Sequence, residues 1–222
     1  MVSISDSIIY QDTSIIALNK PAGLLTITDG YVKEKENLYQ FLKKEFREVF
    51  VVHRLDKETS GVIIFAFTQK AHKFLNIQFQ NRMIMKKYVA ITHNIPNWDE
   101  YEAKLSLKIN GDRKHRTIVS QSGKSSFTFF KRGDIDLSKN ISMVYAFPKS
   151  GYTHQIRAHL SYLGHPILGD SLYNKYLNSQ QLILNQNQSR IMLHAESIEF
   201  IHPELEEKMI LSVPIPFLLN KF

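Results

Sequence analysis

His53-Arg54-Leu55-Asp56-Lys57-Glu58-Thr59-Ser60-Gly61 runs straight into Val62-Ile63-Ile64-Phe65-Ala66-Phe67, placing a cation, a carboxylate, hydroxyls and a glycine at the mouth of a short β-branched and aromatic run. A run of that kind forms an interior strand rather than a solvated loop. A polar turn feeding such a strand holds its side chains on a rigid support, so Asp56 is where chemistry is expected. Taken alone, the turn also has a plainer account: Asp56 and Thr59 cap it, and Arg54 neutralises them.

Outward from this stretch, residues 7–10 and 14–18 read as two short strands joined by Gln11-Asp12-Thr13 and ending in the tight turn Lys20-Pro21-Ala22-Gly23. Leu38, Phe41, Leu42 and Phe46 fall at helical spacing, which predicts an amphipathic helix over 37–47. Thr68 is placed to cap a second helix whose Ala71, Phe74, Leu75 and Phe79 share one face, and residues 88–91 read as a further strand. From 104 to 130 the pattern is strand-like on both sides of Asn110-Gly111-Asp112-Arg113-Lys114-His115-Arg116. That basic turn suits phosphate contact, though a solvated hairpin tip has the same composition.

Thr153 and Gly164 bracket a third helix, with Ile156, Leu160 and Leu163 toward the core and Arg157 projecting nearby. The Asn- and Gln-rich stretch 177–189 reads as an exposed insertion, and strands near 191–201 and 208–213 close the chain. Mixed strands, few helices and no regular βα alternation predict an α+β fold. No internal repeat or linker marks a second domain, so residues 1–222 are expected to form one.

The 28 Lys and Arg residues outnumber the 21 Asp and Glu, a net charge of +7 with His neutral. Such a surface attracts polyanions and makes nucleic acid the leading partner, although net charge bears equally on solubility. With no cysteine, disulfides, thiolate zinc sites, iron–sulfur clusters and a Cys nucleophile are excluded. Met1-Val2-Ser3-Ile4-Ser5-Asp6-Ser7 lacks the basic and apolar segments of a signal peptide, and no apolar run approaches the roughly 18 residues of a membrane span. A soluble, cytoplasmic protein without a membrane partner is expected.

No Gly-x-Gly-x-x-Gly or phosphate-loop motif is present, so no nucleotide cofactor is expected. His154, His159 and His165 lie close in sequence, with His194 and His202 beyond, but the five-residue step from 154 to 159 turns the rings to different sides of a helix. No metal is expected on that pattern. A Ser-His-Asp triad has no better support, because Ser60 precedes a single glycine and no nucleophile elbow exists.

Taken together, Lys20-Pro21-Ala22-Gly23, His53 to Gly61, Lys86-Lys87-Tyr88-Val89-Ala90, Gly151-Tyr152-Thr153-His154-Gln155-Ile156-Arg157-Ala158-His159-Leu160 and Leu163-Gly164-His165-Pro166-Ile167-Leu168-Gly169-Asp170 closely resemble the RluA family of pseudouridine synthases. Leu193-His194-Ala195 and His202-Pro203 continue the resemblance, which runs in order from about residue 8 to residue 213. It implies the pseudouridine synthase fold, a mixed and mainly antiparallel central sheet with flanking helices and a basic active-site cleft. It also implies conversion of uridine in RNA to pseudouridine without a cofactor.

Carried over residue by residue, the resemblance makes Asp56 the catalytic aspartate, Tyr88 the ring packed on the target base and Arg157 the cation paired with Asp56. Arg54 would reach into the RNA and help hold the extruded nucleotide. Lys20, Lys86, Arg113, Lys114 and Arg116 are expected on the RNA as well, Lys20 with the alternatives of fixing the cleft or standing as a surface lysine. His53, Thr59 and Leu193 are expected to line or brace the base pocket. Asp170 and Tyr173 are expected to brace the loop after Gly169, and His154 and His194, like His53, to serve as hydrogen-bonding scaffold. Tyr152 stands where the family carries Arg, which puts one phosphate or structural contact in question.

Isomerisation breaks the N-glycosidic bond, turns the uracil and rejoins it through C5. A carboxylate could add to the sugar, remove a sugar proton or add to the pyrimidine. A guanidinium nearby would keep that carboxylate ionised, and Lys in place of Arg157 would keep the charge but lose the planar fork. Flipping a stacked nucleotide costs a few kcal/mol, and stacking on an aromatic ring, worth about 1–3 kcal/mol per base, offsets much of it.

Only 19 residues precede Lys20, too few for the S4-type RNA-binding module of many relatives. Recognition is therefore expected from the catalytic domain itself, acting as a monomer on a compact stem-loop of ribosomal RNA or a tRNA anticodon arm. Two other classes compete. A noncatalytic RNA-binding or ribosome-assembly protein of the same fold would not need Asp56, Tyr88 and Arg157 together, and a glycosidase would need a second carboxylate beyond Glu58.

Overall fold

A computed structural model describes residues 5–28, 36–174, 177–186 and 188–217. The chain divides into two compact units, one of Met1–Lys86 with Ala195–Pro214 and one of Lys87–His194 with Ile215–Phe222.

In the first unit, β1 (Ile8–Gln11) pairs antiparallel with β2 (Ile15–Lys20), and β2 with β4 (Ser60–Ala66). Asp12 sets the first turn, its Oδ1 accepting the N–H groups of Ser14 and Ile15 at 2.8 Å each. The short β3 (Phe50–Val51) also pairs with β4, and β10 (Leu193–Ile201) pairs with β11 (Lys208–Ser212). All seven residues of β4 are buried, as its apolar run predicts. Helix α1 (Leu38–Glu45) starts at Asn37, whose side chain accepts the Gln40 N–H, and α2 (Gln69–Gln80) starts at Thr68, whose hydroxyl accepts the Ala71 N–H at 3.1 Å. Both helices lie where the periodicity puts them, and Ala71 and Leu75 of α2 pack with Val62, Ile64 and Phe200 in this unit's core.

Gly61 shows why the polar turn and the strand meet where they do. Its φ is +116°, and a Cβ there would sit 2.1 Å from the Ala195 carbonyl oxygen. A glycine inside a strand costs roughly 0.5–1 kcal/mol. Each fully buried Val or Ile beside it contributes about 1.5–3 kcal/mol, so the strand holds.

The second unit is an antiparallel sheet in the order β5-β9-β8-β6-β7. Its strands are β5 (Met85–His93), β6 (Glu100–Lys108), β7 (Ile118–Val119), β8 (Lys124–Asp136) and β9 (Ile141–Pro148). Helix α3 (Gln155–Tyr162) supplies Ile156 and Leu160 to a core shared with Val89, Ile91, Phe130, Val144 and Leu193. Antiparallel strands with a few helices in each unit make the chain α+β, as expected.

Four details differ from the sequence pattern. The basic turn does not join two long strands: β7 is two residues long, and a second turn at 120–123 passes the chain to β8, the main partner of β6. Strand β9 was not anticipated, although Ile141-Ser142-Met143-Val144-Tyr145-Ala146-Phe147 carries the composition for it. Thr153 does not cap α3; the cap position is His154, in the left-handed region at φ +56°, and no side chain bonds the helix start there. Finally, 177–189 is not a plain exposed insertion. Within it lies α4 (Ser179–Gln186), which turns amides inward: Asn185 Oδ1 accepts the Gly169 N–H and Gln181 donates to Asn94, both at 2.5 Å. Residue 187 lies outside the described residues.

Candidate active site

The turn that carries Asp56 is fixed from both sides through its main chain. On one side Leu55 plugs into the core at 6% exposure, and its N–H and C=O both bond the Thr26 hydroxyl, at 3.2 and 3.0 Å. On the other, the Lys57 carbonyl accepts the Gly23 N–H at 2.9 Å and the Lys20 ammonium at 3.1 Å. The Thr59 N–H returns to the Asp56 carbonyl at 3.1 Å, closing the turn. The Asp56 side chain is held half-buried on this frame, with Arg54 exposed two residues before it and Thr59 and Ser60 buried after it.

Lys20 corrects the sequence expectation of an RNA-contacting lysine. It is fully buried opposite Gly61 in the β2–β4 pairing, and its Nζ donates to the carbonyls of Pro21, Leu24 and Lys57 at 2.9, 2.8 and 3.1 Å. An ammonium has three protons, so this one bonds three carbonyls, two in its own turn and one across at Lys57, and does not face solvent. It fixes the Asp56 turn from beneath.

His53 bonds the main chain of β4. Its Nε2 accepts the Ile64 N–H at 3.0 Å, extending the edge that β3 offers β4, and its ring lies 5.0 Å from that of Phe79. Burial, with the Lys86 charge adding to it, pushes the His53 pKa down to about 3, which favours the neutral ring. Lys86 is itself half-buried, and desolvation lowers its pKa to about 8. It remains mostly charged near neutrality.

In the second unit, Tyr88 stands on β5 opposite Ala146 and is half-buried against the core to which Leu193 contributes. Leu193 is 3% exposed. Arg157 projects from α3 and is 8% exposed; its Nε and Nη2 donate to Asp170 Oδ2 and Oδ1 at 2.8 and 2.9 Å. Asp170 Oδ1 also accepts the N–H groups of Leu172 and Tyr173, at 3.0 and 3.2 Å, so it braces its loop as expected.

The basic turn is organised by Asp112, whose Oδ1 accepts the N–H groups of Lys114 and Arg116 at 3.0 Å each. Arg113 and Lys114 are exposed, consistent with phosphate contact. Arg116 departs from that expectation: its guanidinium bonds Asp112 Oδ2 at 2.7 Å and the Leu172 carbonyl at 3.2 Å, which makes it a brace within the protein.

Gln155 was not singled out by its sequence position and proves to organise the start of α3. Its Oε1 accepts from the Ser150 hydroxyl and the Tyr152 N–H, and its Nε2 donates to the Phe127 carbonyl and the Thr128 hydroxyl. Tyr152, in the place of the family's Arg, packs against Leu107, Ala158 and Tyr173. Two of the histidines brace the second unit: His159 bonds Ser126 and Thr128 with its pKa lowered to about 4 by burial, and His165 meets the Asn94 carbonyl. Among the described residues no group of three or more His, Asp or Glu is placed to hold a metal. None of the described helices is long and apolar enough to cross a membrane.

Known proteins resemble this chain over most of its length. The model of the RNA pseudouridylate synthase family matches residues 14–162. The dual-specificity RNA pseudouridine synthase RluA of Vibrio parahaemolyticus is 32% identical over 214 residues, 95% of this chain and 83% of that protein. The tRNA pseudouridine synthase C of Haemophilus ducreyi is 30% identical over 217 residues, 92% of this chain and 89% of that one. Among solved structures, human RNA pseudouridylate synthase domain containing 1 superposes with a TM-score of 0.80 at 25% identity, covering 99% of this chain and 88% of its own. Relatives named as synthases favour the catalytic account over a noncatalytic RNA-binding protein. With the family model and these relatives spanning most of its length, the chain belongs to the RluA family of RNA pseudouridine synthases, isomerases that convert uridine in RNA to pseudouridine.

Proposed function

We propose that the two units act as one monomeric catalytic domain in the cytoplasm and modify uridines in compact stem-loops of ribosomal RNA, tRNA or both. Relatives named as a tRNA pseudouridine synthase and as a ribosomal large subunit pseudouridine synthase support both substrate classes. Asp56 acts on the flipped uridine, Tyr88 stacks on its base, and Arg157 is the charge partner of the Asp56 carboxylate. Arg54, Lys86, Arg113 and Lys114 meet phosphates or the displaced strand, consistent with a net charge of +7.

The observation that carries this assignment is the Asp56 turn itself: its main chain is fixed at Leu55 and Lys57 while the carboxylate is only half-buried. A reacting carboxylate needs that combination, because a fixed backbone keeps it oriented and partial exposure lets a nucleotide reach it. Addition at C1′, removal of a sugar proton and addition to the pyrimidine all begin from such an ionised group. Breaking the C1′–N1 bond leaves its electron pair on N1, and forming C1′–C5 then releases the hydrogen of C5 to water while N1 takes up a proton from water.

Mapping pseudouridine across all RNA of cells with and without this protein tests the proposal. Loss of the modification at one or a few loop uridines of rRNA or tRNA is expected. An unchanged map would refute it.

A further inference from the structure

Two arginines flank one buried tyrosine. Tyr173 is 4% exposed, and the guanidinium carbons of Arg157 and Arg116 lie 5.1 and 5.9 Å from its ring centre. Its hydroxyl accepts the Thr117 N–H at 2.9 Å and donates to the Thr117 carbonyl at 3.0 Å, with His154 Nδ1 at 3.3 Å. Arg116 is tied in turn to Asp112, whose carboxylate folds the basic turn, and to the Leu172 carbonyl. Asp170 grips both Nε and Nη2 of Arg157 and the N–H groups of the same loop.

We propose that Asp170 and Tyr173 are positioning residues that tie Arg157 to the base of the basic turn and hold its guanidinium in one plane for the reaction. The proposal rests on Arg157 being the charge partner assigned above. A two-bond carboxylate fork sets the plane of a guanidinium, not merely its charge, and a ring against its face removes the remaining rotation. Arg157 is thereby ordered from its edge and its face, and both supports sit on the segment that also anchors residues 112–117. A carboxylate that served only to neutralise a buried cation would need neither the second bond nor the shared ring.

The test uses transcripts of the RNA found by mapping, tritiated at uridine C5, with release of tritium to water measured in single turnovers. Asp170→Asn keeps the shape and removes the charged fork; Tyr173→Phe keeps the ring between the two arginines and removes its hydroxyl from Thr117. We expect Asp170→Asn to slow the step at saturating transcript by about tenfold or more, with transcript affinity changed less than about threefold. Tyr173→Phe should show a smaller loss of the same kind, and decides the matter if Asp170→Asn does not fold. Combined with Arg157→Lys, Asp170→Asn should add no further loss beyond Arg157→Lys alone, since both act through one guanidinium.

Weakened affinity with an unchanged saturated rate, or losses that multiply in the double variant, would overturn the proposal. A fully active Arg157→Lys would overturn it too, whereas the pseudouridine synthase assignment itself fails only if the wild-type protein releases no tritium.

Discussion

Lys20 in the first unit and Arg157 in the second are both buried cations, 0% and 8% exposed, yet the lysine donates to main-chain carbonyls and the arginine to a carboxylate. The difference follows from the shape of the two head groups. An ammonium sends three protons in three directions and can tie its own turn to a distant carbonyl, which suits a cation whose task is to hold a turn. A guanidinium is a flat fork that matches one carboxylate, which suits a cation that must itself be held in a set orientation. So the unit carrying Asp56 fixes its backbone with a charge, and the unit carrying Arg157 fixes a charge with its loop.

Removing the ammonium should break that contrast most visibly. Lys20→Met keeps the stem and leaves three carbonyls without their donor; a loss of about 2–4 kcal/mol in urea unfolding is expected, since each abandoned buried acceptor costs on the order of 1 kcal/mol or more. An unchanged unfolding midpoint would show that Lys20 holds nothing.

A smaller loss is expected in the other unit. Asn185→Ala removes the bond to the Gly169 N–H beside the Asp170 loop and should cost about 1 kcal/mol by the same measurement. Equal losses at Lys20 and Asn185 would erase the distinction between a charged and a neutral brace.

The smallest effect on the fold belongs to Arg113→Ala with Lys114→Ala, both exposed. Their removal should leave unfolding within about 0.5 kcal/mol. It should also flatten the salt dependence of RNA binding by a slope of about 1–2, one unit per lost phosphate contact. A wild-type salt slope in the double variant would remove the basic turn from the RNA interface.

Local signals in the chain were enough for the elements of the first unit. Thr68 caps α2 and residues 62–66 lie in a buried strand because capping and burial are decided by near neighbours. The roles of Lys20 and Arg116 were not legible, since an exposed and a buried cation have the same letter and their partners, the Lys57 and Leu172 carbonyls, lie 37 and 56 residues away. Helix α4 escaped notice for a related reason. Its inward face is polar, with Gln181 and Asn185 buried while Ile183 is 59% exposed, so hydrophobic periodicity has nothing to register. The motif residues Asp56, Tyr88 and Arg157 were found through family resemblance, and spacing alone would have left Asp56 as a turn cap.

The most direct measurement is tritium release from C5-labelled target RNA by Asp56→Asn, with RNA binding and unfolding followed in parallel. The account predicts that the variant folds, binds the transcript within a fewfold of wild type and releases no tritium above background. Release at the wild-type rate would contradict it, because the reaction would then proceed without the carboxylate on which the proposed site is built.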